Sequence, residues 1–225
     1  MGVGAEALVH ANELYRFYHA DEEETFALRG VSMELHAGEL VAVTGPSGSG
    51  KSTLLACLAG LDEPDGGHVR IAGHRLTRRS ESERAALRAR LIGILLQSGN
   101  LVEHLSVEDN VRLARAFTSR RSGQNIDDVL DRLGLRERRK ATPSTLSGGE
   151  SARAGLAVAL ANQPPVLFAD EPTGELDEAN ETRVMALLRE RAADGAAVLV
   201  ATHSQRVAGA ADRVIELMDG RVADG

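Results

Sequence analysis

Residues 45–52 read Gly45-Pro46-Ser47-Gly48-Ser49-Gly50-Lys51-Ser52, a match to G-x-x-x-x-G-K-[ST]. Small side chains let successive backbone N–H groups turn inward around an anion, and a helix N-terminus behind them adds positive potential. Lys51 would reach the outer phosphates of a nucleotide and the Ser52 hydroxyl would ligate Mg²⁺, with Thr53 next in the same helical turn. The spacing therefore predicts a phosphate-binding loop. Lysine is scarce elsewhere: of 26 basic residues only Lys51 and Lys140 are lysines, so the compact ammonium at 51 is a chemical choice.

Two further groups complement that loop. Asp170 and Glu171 follow an apolar run at 166–169, which puts two carboxylates at the carboxyl end of a buried strand. Asp170 is the expected Mg²⁺ partner and Glu171 the expected general base for an attacking water. Ser147-Gly148-Gly149, at the start of a helix, offers a hydroxyl and unshielded backbone N–H groups to an anion; taken alone it reads as an ordinary helix cap.

These residues need a scaffold, and the apolar patterning predicts one. Residues 38–44 carry an apolar run that ends at the glycine-rich loop, and the runs at 91–96, 166–169 and 197–201 are short and apolar, as strands buried on both faces of a parallel sheet are. Residues 51–58 read as the helix after the phosphate loop, stopped at Gly60. Alternation at 7–9 and 31–35 predicts a small N-terminal antiparallel sheet, with the acidic stretch 21–24 as a solvated turn. Between 98 and 163 the pattern turns helical: Ile126, Val129, Leu130 and Leu133 share a face before Gly134, and Ser106 to Asp109 reads as a capping box. The arginine-rich stretches 75–90 and 136–140 read as solvated helix faces, and Cys57 as core packing.

Composition narrows the class. A net charge of −7 argues against a general nucleic-acid binder. No apolar run is long enough to span a bilayer and the N-terminus lacks the pattern of a secretory leader, so the expectation is a cytoplasmic chain. The seven histidines lack metal-ligand spacing, so no zinc site is expected.

Leu146-Ser147-Gly148-Gly149-Glu150, upstream of the Asp170-Glu171 strand, resembles the signature sequence of ABC transporter ATPases. In that family the signature of one subunit closes on the ATP held by the phosphate loop of another, so the resemblance implies a head-to-tail homodimer. Gln97 is similar to the family's Q-loop glutamine, which reaches Mg²⁺ and the attacking water; Asp177 resembles the D-loop aspartate, and His203 the switch histidine at the γ-phosphate. Tyr18 stands where the adenine-stacking aromatic would fall, with Phe17 as a substitute. The implied fold is α/β, a P-loop NTPase of ABC type: a RecA-like core and N-terminal antiparallel β subdomain (about 1–97 and 164–225) with an inserted α-helical subdomain (about 98–163), all one domain of 225 residues.

The lead-in at 27–32 and the segment 171–177 look most like the branch of lipoprotein-releasing, macrolide-exporting and cell-division ATPases. It implies ATP and Mg²⁺, no nucleic acid, and a peripheral place on the cytoplasmic face of the membrane beside a permease with four membrane helices per subunit. Ser151 and Ala152 depart from the glutamines usual after the signature, and Val158 replaces a common arginine. A soluble ABC-type ATPase acting on ribosomes or chromosomes is the alternative, but tandem modules or a coiled-coil insertion would be needed and neither is present.

Overall fold

The computed structural model describes residues 7–20, 23–118, 125–174 and 176–223. Strands β1 (Ala7–Ala20) and β2 (Glu23–His36) form a long antiparallel pair, and β3 (Leu40–Thr44) leads through the phosphate loop into α1 (Lys51–Leu58). Next come β4 (Gly66–Ile71), β5 (His74–Arg75), α2 (Glu81–Leu91) and β6 (Ile92–Leu95). Helices α3 (Val107–Ala116), α4 (Ile126–Arg132) and α5 (Gly148–Leu160) follow. The chain closes with β7 (Val166–Asp170), α6 (Glu178–Ala193), β8 (Ala197–Ala201), α7 (Gln205–Gly209), β9 (Arg213–Met218) and β10 (Arg221–Val222).

Two sheets result. A four-stranded antiparallel sheet runs β2-β1-β4-β5, and a six-stranded sheet runs β10-β9-β3-β8-β7-β6, parallel except at β10. Strands β3, β7 and β8 are Val, Ala, Leu and Phe rich because both faces are covered. Period-two alternation then splits their side chains. Val41, Val43, Val166, Phe168, Leu199 and Ala201 join α1 and the antiparallel sheet in one apolar cluster; Leu40, Leu167, Ala169, Val198 and Val200 join α3 to α6 in the other. The central sheet is thus the shared floor of both cores, and its carboxyl edge carries the site.

Three local expectations need correction. Glu23 and Glu24 are not turn residues: they pair with Ala20 and His19, while 21 and 22 lie outside the described residues. Ser106 caps α3 by accepting the Asp109 N–H at 3.1 Å, but the reciprocal half of the box is missing, because the Asp109 carboxylate instead takes the Ser106 hydroxyl proton at 2.6 Å. The stretch 136–140 is not merely solvated. Arg139 and Lys140 reach Glu108, whose side chain is 2% exposed, and Arg112 pairs with it too. Hydrogen bonds from Arg139 and Lys140 pull the Glu108 carboxyl down to about 2, so it is a buried, fully paired charge that ties α3 to the segment before α5.

Cys57 is fully buried in α1, and burial pushes its thiol up to about 12. It is packing, as its apolar run implied.

Candidate functional site

The phosphate loop is shaped by contacts that exclude side chains. Gly50 has φ 102°, and a Cβ there would stand 2.3 Å from the Ala27 carbonyl oxygen; at Gly45 (φ 145°) it would stand 2.1 Å from that of Leu217. These glycines answer both to backbone conformation and to close packing. The loop is also tied to its neighbours: the Gly220 N–H donates to Ser49 O at 3.0 Å, and the Arg29 N–H donates to Gly220 O at 2.7 Å. Lys51 Nζ donates to the Gly45 and Pro46 carbonyls at 2.8 and 2.9 Å, which holds the ammonium over the loop it would serve.

A cleft of about 480 Å³ opens above this loop, a size suited to a nucleotide. Tyr18, Ser47, Gly48, Gly50, Lys51, Ser52, Thr53, Gln97, Asp170, Glu171 and His203 all line it. Gly45 and Ser49 do not: Gly45 packs against Leu217, and Ser49 is buried with its Oγ unpartnered among the described residues. They shape the loop from inside.

Asp170 closes β7 with 6% exposure, in hydrogen-bonding contact with the Ser52 hydroxyl. Burial and then the neighbouring Glu171 charge push its carboxyl above the usual range, while Ser52 and Lys51 pull it back. A buried carboxylate beside a hydroxyl is a hard oxygen set of the kind Mg²⁺ takes. Glu171 stands at φ 48°, an unfavourable conformation for a side chain of its kind, fixed by its N–H donating to Ala201 O at 2.9 Å. His203 Nδ1 lies 2.9 Å from Glu171 Oε1, and Thr202 Oγ1 donates to Oε2 at 3.3 Å. Asp170, Glu171 and His203 therefore converge because the adjacent parallel strands β7 and β8 end level with each other.

Tyr18 faces the cleft and Phe17 does not, as alternation along β1 requires. Phe17 packs edge-on against Phe26 with ring centroids 4.9 Å apart. The Tyr18 hydroxyl donates to Asp62 at 2.7 Å, and the Arg16 guanidinium stands 4.7 Å from its ring centroid. Burial and the bond to Asp62 hold the phenol above its usual range. The ring is braced with its polar end satisfied, leaving a face for stacking.

Ser147, Gly148, Gly149 and Asp177 lie in a different cleft, with Glu150, Arg153, Leu176 and Asn180. Ser147 caps α5 in a capping box with Glu150, and Asp177 caps α6 by accepting the Asn180 N–H at 2.8 Å. Glu175, between the carboxylate pair and Asp177, lies outside the described residues. A further cavity is lined by Gln97, Asp170, Glu171 and His203 on one side and by Gly148 of the signature on the other, while Lys51 and Ser52 line only the first cleft and Ser147 and Gly149 only the second.

Several supporting residues were not singled out in the sequence. Asn100 clamps the Gln97 loop by bonding both the Leu96 N–H and carbonyl, at 2.7 and 2.6 Å. Thr202, Asp62 and Arg16 orient Glu171 and Tyr18, and Arg138 pairs with Glu150 at 2.8 Å. Only Thr202 had a signal, adjacency to His203; the rest depend on strands and loops meeting in space.

The family model for "ABC transporter" matches residues 28–174. A macrolide export ATP-binding/permease protein, MacB, of Chlorobium luteolum is 41% identical over 217 residues, covering 96% of this chain and 33% of that protein. The Shigella flexneri MacB is 38% identical over 96% of this chain and 34% of its own length. The chain thus spans about one third of these relatives. Among solved structures, the dimeric post-hydrolysis state of the ATP-binding cassette MJ0796, bound to ADP and Pi, superimposes with TM-score 0.90 at 34% identity, covering 96% of this chain and 97% of that one. With its loop, carboxylate pair and signature placed as described, the chain belongs to the ABC transporter family and is one of its ATP-binding cassettes.

Proposed function

We propose that this chain hydrolyses ATP in a head-to-tail homodimer and drives a membrane permease by the closing and opening of that dimer. The observation that carries this reading is the split of the site: Lys51 and Ser52 line one cleft, Ser147 and Gly149 another. A single copy offers each half to a different nucleotide, so two copies complete two sites.

Within each site, Tyr18 stacks on adenine and the loop 45–53 holds the phosphates, with Lys51 on the outer ones. Ser52, Asp170 and Gln97 would hold magnesium, which would neutralise phosphate charge. Glu171 takes the proton of the attacking water, and His203, hydrogen-bonded to Glu171, contacts the γ-phosphate. Ser147, Gly148 and Gly149 of the other copy cover that phosphate, and Asp177 works across the interface.

Among the described residues no helix is long and apolar enough to cross a membrane, so a permease is supplied by a separate segment or subunit. A surface groove between Ile94 and the lobe 98–163, which contributes Ala114, Val158 and the 70%-exposed Phe117, suits an apolar permease segment. Mild-detergent affinity purification from native membranes tests this reading. Recovery of a permease with four membrane helices and an extracytoplasmic domain is expected; ribosomal or chromosomal proteins without a membrane partner would contradict it.

A further inference from the structure

The signature cleft carries a charge that its proposed task does not want. Ser147, Gly148 and Gly149 are to receive the triphosphate of a second copy, yet the first turn of α5 also holds a carboxylate, Glu150. Glu150 Oε2 accepts the Ser147 N–H at 2.9 Å, and the Glu150 N–H donates to Ser147 Oγ at 3.2 Å. The positive potential that would draw a phosphate to this helix end draws the carboxylate equally. The Ser147 N–H and then Arg138 hold that carboxyl below its usual range, so Glu150 is charged at neutral pH.

Two cations answer it. Arg138 Nε lies 2.8 Å from Glu150 Oε1, with Arg138 about half exposed and Glu150 18% exposed. Arg153 lines the same cleft with 8% exposure, and its Nε has no partner among the described residues. A buried guanidinium with an idle donor marks the cleft as built for an anion beyond Glu150.

We propose that Arg138 is a positioning residue for the split site: the Glu150 charge opposes an incoming γ-phosphate at this helix end, and Arg138, bonded to Oε1 while the Ser147 N–H keeps Oε2, neutralises that charge as the partner's nucleotide arrives. The inference rests on the split-site reading and adds a term to it. Arg138 touches no nucleotide; its effect passes entirely through Glu150. The carboxylate then lowers the readiness of the dimer to close, and Arg138 restores it.

That dependence is measurable as a double-mutant cycle on ATP-driven dimerisation of the full chain, in a Glu171→Gln background, by sedimentation velocity across an ATP titration. Arg138→Gln should raise the ATP concentration for half-dimerisation by roughly twofold to fivefold. Glu150→Gln retains the capping box and should lower it. With Glu150→Gln already present, Arg138→Gln should change nothing further. Equal losses from Arg138→Gln in both backgrounds would overturn the inference, as would a Glu150→Gln protein that dimerises no more readily than its parent. Failure of the parent to dimerise with ATP at all would instead overturn the split-site reading on which this rests.

Discussion

Glu171 and Tyr18 show how much a single residue depends on its neighbours. The Glu171 carboxylate is held at both oxygens, by His203 and Thr202, and its backbone is in an unfavourable conformation at φ 48°. Such strain persists where the surroundings over-determine a residue, and it fits the proposed role of a base facing one water. Tyr18 is braced by Asp62 and Arg16 so that one ring face stays open. Replacing Tyr18 with Ala should weaken ATP binding about fivefold or more, in keeping with the ~1–3 kcal/mol of base–aromatic stacking. Phe17→Ala should leave affinity unchanged and lower the melting temperature instead, because Phe17 packs on Phe26. Isothermal titration alongside thermal melts separates the two. The sequence put Tyr18 here with Phe17 as a substitute; alternation along β1 turns Tyr18 to the cleft and leaves Phe17 packed on Phe26.

At the scale of the element, the loop-helix unit and the helical lobe differ in how far they were legible. Strand, glycine-rich loop and helix at 39–58 follow from apolar runs and local spacing, and the structure has them where the pattern put them. Strands β5 and β10 are two residues long and β4 and β9 find β1 and β3 far away in sequence, so none of the four was read. Gly50→Ala tests the loop: with its Cβ 2.3 Å from the Ala27 oxygen and φ at 102°, it should cost about 1–3 kcal/mol, read as a lowered melting temperature.

The Glu108 cluster tests the lobe. Its carboxyl is depressed from 4.5 to about 2, so it contributes stability above pH ~4.5 that is lost as the pH falls toward 2. Glu108→Gln should lower the melting temperature at pH 7, and the gap to wild type should close across that window; a gap independent of pH would contradict the assignment. Arginine-rich segments look alike in sequence whether they face water or a buried carboxylate, which is why 136–140 read as solvated.

Across the whole molecule, the sequence carried the order of the motifs and the structure added their separation. One sheet places Asp170, Glu171 and His203 together because parallel neighbours end level, while the insertion between β6 and β7 carries Ser147 to Gly149 to another cleft. No property of a single motif reports that separation; it arises from where α5 leaves the sheet. The central claim is that two copies close on ATP. Sedimentation velocity of the Glu171→Gln chain with and without Mg-ATP tests it most directly: a stable dimer appearing only with nucleotide is the predicted result, and a chain that binds ATP yet remains monomeric at every protein concentration would contradict it.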